Sequence, residues 1–185
     1  MKKLRNDNKG FTLVELIVVL VILAILAAIL VPALLGYIDE ARNKQLQLHG
    51  KGVYTAAQAQ ASKMYGYNIK IDEAGAGKGL DVFGTQVATL SEISSFGETA
   101  VAYIAFKGTE GKDSYTVIDI LFSEDGETGV WLGDAEAWTY KEDMTKALTA
   151  FKGDDENKAG YILKIAYDST TAKKFVATEE FKAGA

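Results

Sequence analysis

The chain has 185 residues and a formal net charge of −5, which suffices for one compact domain plus an extended element and is too little for a second full domain. Its acidic balance argues against a general nucleic-acid footprint, and with no cysteine the fold cannot rest on disulfides. The positive charge gathers at the start: Lys2, Lys3, Arg5 and Lys9 stand against Asp7, so the first ten residues carry +3 and the chain without them −8.

Residues Lys9 to Glu15 read Lys-Gly-Phe-Thr-Leu-Val-Glu, and an unbroken apolar run from Leu16 to Val31 follows before Pro32. Between Phe11 and Leu35 the one charged residue is Glu15. About 20 helical residues already cover the roughly 30 Å of a bilayer core, so this segment is long enough to cross a membrane. Lys and Arg residues on the N-terminal flank stay cytoplasmic, which directs the rest of the chain outward. An ordinary secretory signal has a shorter apolar region and would be cut near Ala24, Ala27 or Ala28. An ordinary single-span anchor needs neither the glutamate inside the run nor the glycine before it, and a buried helix of a soluble protein rarely runs so far without a polar break. A charge at the edge of hydrocarbon is expensive unless it is paired or reaches the interface, so Glu15 is a functional residue by default. Pro32 is the single proline of the chain; it removes the hydrogen bond to the Ala28 carbonyl and predicts a kink.

From Lys9 to Gly36 the sequence resembles the N-terminal signature of a type IV pilin precursor. The resemblance implies that a dedicated peptidase cuts after Gly10, that the exposed Phe11 is N-methylated, and that Glu15, with Thr12 beside it, serves filament assembly by recruiting the N-terminal amine of the neighbouring subunit. The physics agrees at each position. Gly10 has no side chain, so the backbone around the scissile bond can lie close against a protease. A methylated amine keeps its positive charge and can still pair with a carboxylate. The proline also matches, and implies that the stretch from Ala24 to Pro32 can unwind in the filament. The implied fold is α+β: a long N-terminal α-helix, half membrane-spanning and half amphipathic, packed on an antiparallel β-sheet head. Many members of the family close a C-terminal loop with a disulfide; this chain departs from them, and its lack of cysteine hints at a Gram-positive source. The domain reading that follows is a leader at 1–10, a hydrophobic helix at 11–36, its amphipathic continuation at 37–65, a connecting loop at 66–100, and a sheet with an inserted helix at 101–185.

Past the apolar segment, Leu46, Val53, Ala57, Ala61 and Met64 recur at helical spacing, which predicts a buried stripe with Arg42, Lys44, Gln45 and Lys51 facing outward. A helix from Phe11 to Tyr65 would be about 80 Å long. Gly50 and Gly52 weaken it by roughly 1 kcal/mol each relative to alanine and mark close packing or a flexible joint. From Gly66 to Gly97 glycine and small polar residues predict a long connection, in which Thr89 and Glu92 fit a capping box for a short turn through Ile93 and Phe96. Strand-length segments follow at Val101–Phe106, Tyr115–Phe122, Val130–Leu132, Tyr161–Tyr167 and Phe175–Ala177, the first three joined by turn-rich loops into an antiparallel meander. Thr139 and Glu142 fit a second capping box ahead of Met144, Ala147, Leu148 and Phe151, which predicts a short amphipathic helix.

Other chemistry is thinly supported. Gly75, Gly77, Lys78 and Gly79 superficially suggest a phosphate loop, but Asp72 replaces its first glycine and Gly79 its Ser or Thr, so a mobile loop is expected. Glu124, Asp125 and Glu127, and Asp154, Asp155 and Glu156, offer oxygen ligands without EF-hand spacing and read as solvated turns. His49 is the only histidine, on the extended helix, and builds neither a zinc site nor a Cys-His pair in a chain without cysteine. Trp131, Trp138 and the tyrosines suit a core or sheet face. No enzyme activity, metal or cofactor is expected. The expected function is a structural subunit polymerising into a type IV pilus that supports adhesion, motility or biofilm formation. Its expected partners are its own copies, a prepilin peptidase and methylase, an assembly platform with minor pilins, and the cytoplasmic membrane. A pseudopilin of a secretion or DNA-uptake system shares the signature, and a lone membrane-anchored adhesive module is the reading from a different class.

Overall fold

A computed structural model describes residues 10–132, 137–155, 160–170 and 174–182, with no side-chain detail for 153–155. The chain divides between Arg42 and Asn43 into two units. The first is the apolar part of helix α1, Leu13–Gly66, in which every residue from 10 to 42 is exposed. The helical assignment runs through Pro32 without a break.

The second unit begins with the remaining turns of α1. Leu46, Val53, Ala57, Ala61 and Met64 are all buried, as their spacing predicts, while Lys44, Gln45 and Lys51 are exposed. Gly50 is a close-packing glycine, since a Cβ there would lie 2.8 Å from the Trp138 ring and 2.9 Å from a Val130 methyl; Gly52 faces open space. Gln58 ties α1 to the sheet by imitating a peptide group. Its amide donates to the Tyr115 carbonyl at 3.2 Å and its oxygen accepts from the Val117 amide at 2.9 Å. Those two backbone groups would otherwise lack strand partners.

The sheet is antiparallel and six-stranded: β1 Val101–Phe106, β2 Val117–Ser123, β3 Gly129–Trp131, β4 Thr139–Lys141, β5 Tyr161–Asp168 and β6 Lys174–Lys182, in the order β4-β3-β2-β1-β5-β6. Alternation along β1 sends Ala102, Ile104 and Phe106 to the face covered by α1 and helix α2, Gly79–Leu90, and Tyr103 and Ala105 to the face covered by helix α3, Met144–Asp155. A bulge in β2 sets Val117 opposite Phe106 and Asp119 opposite Ala105, so Ile118 is the extra residue. It explains how Val117 and Ile120, three apart, reach the same core. Phe83, Phe106 and Phe122 are fully buried there, each side chain gaining about 1.5–3 kcal/mol from leaving water. The α+β arrangement implied by the resemblance is the one found.

Three sequence expectations change. The 66–100 connection holds α2, whose Leu80, Phe83 and Val87 pack inward although Gly79 and Gly84 weaken it as a helix. Both glycines are required by close approach: a Cβ at 84 would fall 2.1 Å from the Ala177 amide nitrogen, and one at 79 would fall 1.7 Å from the Lys70 carbonyl. Neither predicted capping box forms. Thr89 lies inside α2 with its hydroxyl donating to the Thr85 carbonyl, and Glu92 takes a left-handed conformation before the 3-10 turn Ile93–Phe96. Thr139 belongs to β4, and the cap of α3 is Asp143, which accepts from the Lys146 amide at 3.0 Å. Finally β6 extends well past Ala177.

The long β6 closes the C-terminal region without a disulfide. It pairs with β5 at eight positions, and among the described residues three ion pairs hold it: Lys174–Asp81 at 2.7 Å, Lys182–Asp72 at 2.6 Å and Lys152–Glu180 at 3.0 Å. Each pair is partly exposed and so contributes about 0–1 kcal/mol, leaving the ladder and core as the main support.

These charges set a pH window. The Lys174 ammonium and the Gly77 amide hold Asp81 below its ordinary 3.8, and the Lys146 amide does the same for Asp143. At Asp125 burial opposes ionisation, but the Thr128 and Glu127 amides outweigh it. Stability from these depressed carboxyls is present above about pH 4 and lost as pH falls through their folded values. Lys182 is raised above 10.5 by its hydrogen bond to Asp72, so its share is present below that value and lost as pH rises past it. Urea midpoints measured against pH are expected to be flat between about pH 5 and 10 and to fall on both sides.

Candidate assembly and processing site

The N-terminal candidates lie within six residues. Gly10 and Phe11 precede α1, with nothing within 4 Å of the position a Gly10 Cβ would take, and Phe11 is 86% exposed. Thr12 and Glu15 form a reciprocal cap at the helix start. The Thr12 amide donates to Glu15 Oε2 at 2.9 Å, the Thr12 hydroxyl donates to the same oxygen at 2.8 Å, and the Glu15 amide donates back to Thr12 Oγ1 at 3.3 Å. This is the Thr-x-x-Glu capping box, a signal that the sequence carries as Thr12-Leu-Val-Glu15 beside the charge of the glutamate. Glu15 Oε2 therefore satisfies the Thr12 amide at the start of its own helix, while Oε1 has no partner among the described residues. The cationic leader residues Lys2, Lys3, Arg5 and Lys9, and the bulk of the 1–10 leader, lie outside the described residues.

Beyond this cap, exposed apolar side chains run from Leu13 to Ile38, an uncovered surface far larger than soluble monomers carry. Among the described residues α1 is the one helix long and apolar enough to cross a membrane.

Elsewhere the candidate motifs serve structure. Gly75 to Gly79 lead into α2, and the Gly77 amide donates to Asp81 at 2.8 Å while Lys78 pairs with Glu73 at 2.9 Å. Asp125 accepts from the amides of Glu127 and Thr128, both at 2.8 Å, which uses its oxygens to shape a turn. Glu124 meets His49 Nδ1, and the His49 ring stacks on Phe96 at 4.5 Å, which fastens α1 to the β2–β3 turn. The side chains of Asp154, Asp155 and Glu156 lie outside the described residues. Trp131 donates to the buried Asp119 at 2.7 Å, and Trp138 packs on the core, so both indoles serve the sheet.

Residues 5–31 match the family described as the prokaryotic N-terminal methylation motif. No match is found to a curated protein or to a solved structure. The matched stretch covers the Gly10–Glu15 site and most of the apolar helix. It supports a type IV pilin-like prepilin, and fits a membrane-anchored precursor that is processed by a prepilin peptidase and assembled into a pilus-like system. Proteins with this motif are structural rather than enzymatic.

Proposed function

We propose that this prepilin-type chain is a repeated subunit of a type IV pilus. Residues 1–10 are the leader, cut after Gly10, and Phe11 becomes the methylated N terminus. Before assembly the chain is a single-pass protein of the cytoplasmic membrane with its head outside, the orientation that Lys2, Lys3, Arg5 and Lys9 favour. In the filament the apolar helices exchange lipid for one another, an exchange that gains little by itself, so register comes from pairing the Phe11 ammonium of one copy with Glu15 of the next. Pro32 provides the place where the helix, from Ala24 onward, can unwind among its neighbours, because a bundle satisfies freed backbone groups better than lipid does. A peptidase with methylase activity, an assembly platform and minor pilins are the partners, and adhesion, motility or biofilm formation is the cellular use.

The observation that carries this reading is a capped carboxylate with one oxygen unpartnered among the described residues, standing at the head of an apolar helix whose residues 10–42 are all exposed. Mass spectrometry of the protein isolated from its own cells tests it. The expected N-terminal peptide begins at Phe11 and carries one extra methyl group; a chain that retains Gly10 sinks the proposal. Long surface fibres containing this chain would distinguish a pilus from a secretion or DNA-uptake pseudopilin, in which such fibres are not expected.

A further inference from the structure

A cleft of about 470 Å³ opens in the head where three segments distant in sequence meet: the loop after α1, the β1–β2 connection and the end of β6. The volume lies in the range of small-ligand sites. Its walls are Tyr65 and Tyr115, whose ring centroids are 5.2 Å apart at 58°, with the buried Tyr161 beneath them. Two of these phenols are already committed. Tyr115 donates to the Ile69 carbonyl at 3.0 Å and Tyr161 to the Ser114 carbonyl, so both fix the cleft's loops in place before anything binds. Tyr65 as a whole remains 51% exposed.

The charged lining is balanced: Lys70 and Lys182 against Asp72 and Glu110. Lys182 holds Asp72 through Oδ2 at 2.6 Å, while Asp72 Oδ1 has no hydrogen-bond partner among the described residues. A phosphate would meet two carboxylates here and an ammonium ligand two lysines, so neither ion finds a one-sign field. Aromatic faces beside an oriented carboxylate and lysine suit a neutral ligand that has an apolar C–H face and many hydroxyls. The hydroxyls can donate to Asp72 Oδ1 and accept from Lys70, and charge-assisted bonds of this kind are the stronger ones.

We propose that this cleft binds a neutral saccharide unit, stacked on Tyr65 and hydrogen-bonded to Asp72. The proposal concerns the head alone and stands whether or not the chain polymerises.

The test is saturation-transfer-difference NMR on the full-length chain in a detergent without sugar head groups, with methyl α-glucoside and methyl α-galactoside as probes and inorganic phosphate as the anionic control. The expected result is transfer to the ring C–H protons of at least one glycoside, with weak affinity on the order of 1 mM, as befits a small ligand on a half-open site. Phosphate is expected not to compete. Tyr65→Ala and Asp72→Asn should each reduce the transfer at least about fivefold. Both side chains are partly exposed, and a cooperative urea transition, lowered in Asp72→Asn by no more than the loss of its Lys182 pair accounts for, would show that the fold is kept. No transfer to either glycoside, transfer that survives either substitution, or displacement by phosphate overturns the proposal.

Discussion

Glu15→Ala is expected to leave a chain that inserts in the membrane and is cut after Gly10, yet yields at least about tenfold fewer filaments than the wild type. The reasoning starts from what the residue does in the isolated chain. Glu15 closes a capping box with Thr12, and in the proposed filament it also supplies the charge that pairs with a neighbour's Phe11 ammonium. An alanine removes both contributions at once, so a single variant cannot say which of them matters.

Two further substitutions separate them. Glu15→Gln keeps an oxygen at the third helical position, where glutamine also completes a capping box, but it carries no charge. Thr12→Ala removes the hydroxyl that gives and receives two of the three cap bonds and leaves the carboxylate in place. If register comes from charge pairing, Glu15→Gln should assemble as poorly as Glu15→Ala, and Thr12→Ala should lose much less. Filament yield sheared from cells and normalised to processed subunit in the membrane gives the comparison. Normal fibres from Glu15→Gln would remove the ion pair from the mechanism and leave helix capping as the role of the residue.

The N-terminal motif was legible because it is local: Gly10, Phe11 and Glu15 lie within six consecutive residues, inside the stretch 5–31 that matches the methylation motif, whereas the cap that Thr12 and Glu15 form was not read from their spacing. The strands β1, β2, β3 and β5 were legible for a related reason, since apolar runs and alternation record burial on one or both sheet faces. Where the reading failed, local preference and tertiary packing disagreed. Gly79 and Gly84, together with Val82, Thr85, Val87 and Thr89, speak against a helix, and α2 exists because those glycines let its backbone press on β6 and the Lys70 carbonyl. β6 runs on through Glu179 and Glu180 because it is an edge strand, on which both stay exposed. The spacing Thr-x-x-Glu occurs three times and forms a cap once, at Thr12 and Glu15; the other two threonines are absorbed by α2 and β4. The head cleft left no trace in the sequence, for Tyr65, Asp72, Tyr115 and Lys182 meet only through the fold.

The glycines give the largest expected effect on the head. Gly84→Ala places a methyl group 2.1 Å from the Ala177 amide nitrogen and 2.6 Å from the Val176 carbonyl carbon. Both atoms belong to β6, whose ladder with β5 fixes them, so no rotamer change can make room. The helix must lift off the sheet, loosening Leu80, Phe83 and Val87 from the core together. Overpacking typically costs about 1–3 kcal/mol, and a clash against backbone belongs at or above the top of that range. Gly52→Ala provides the opposite case on a helix of the same unit: nothing lies within 4 Å of its Cβ, so the substitution should only restrict the unfolded chain and improve helix propensity, stabilising by about 0.5–1 kcal/mol. Urea unfolding of the full-length chain in detergent, followed by the fluorescence of Trp131 and Trp138, should move the midpoint down for the first and up for the second. A midpoint for Gly84→Ala that stays level or rises would mean that α2 does not rest on β6 at the distance described, and the account of how glycine permits that helix would fall with it.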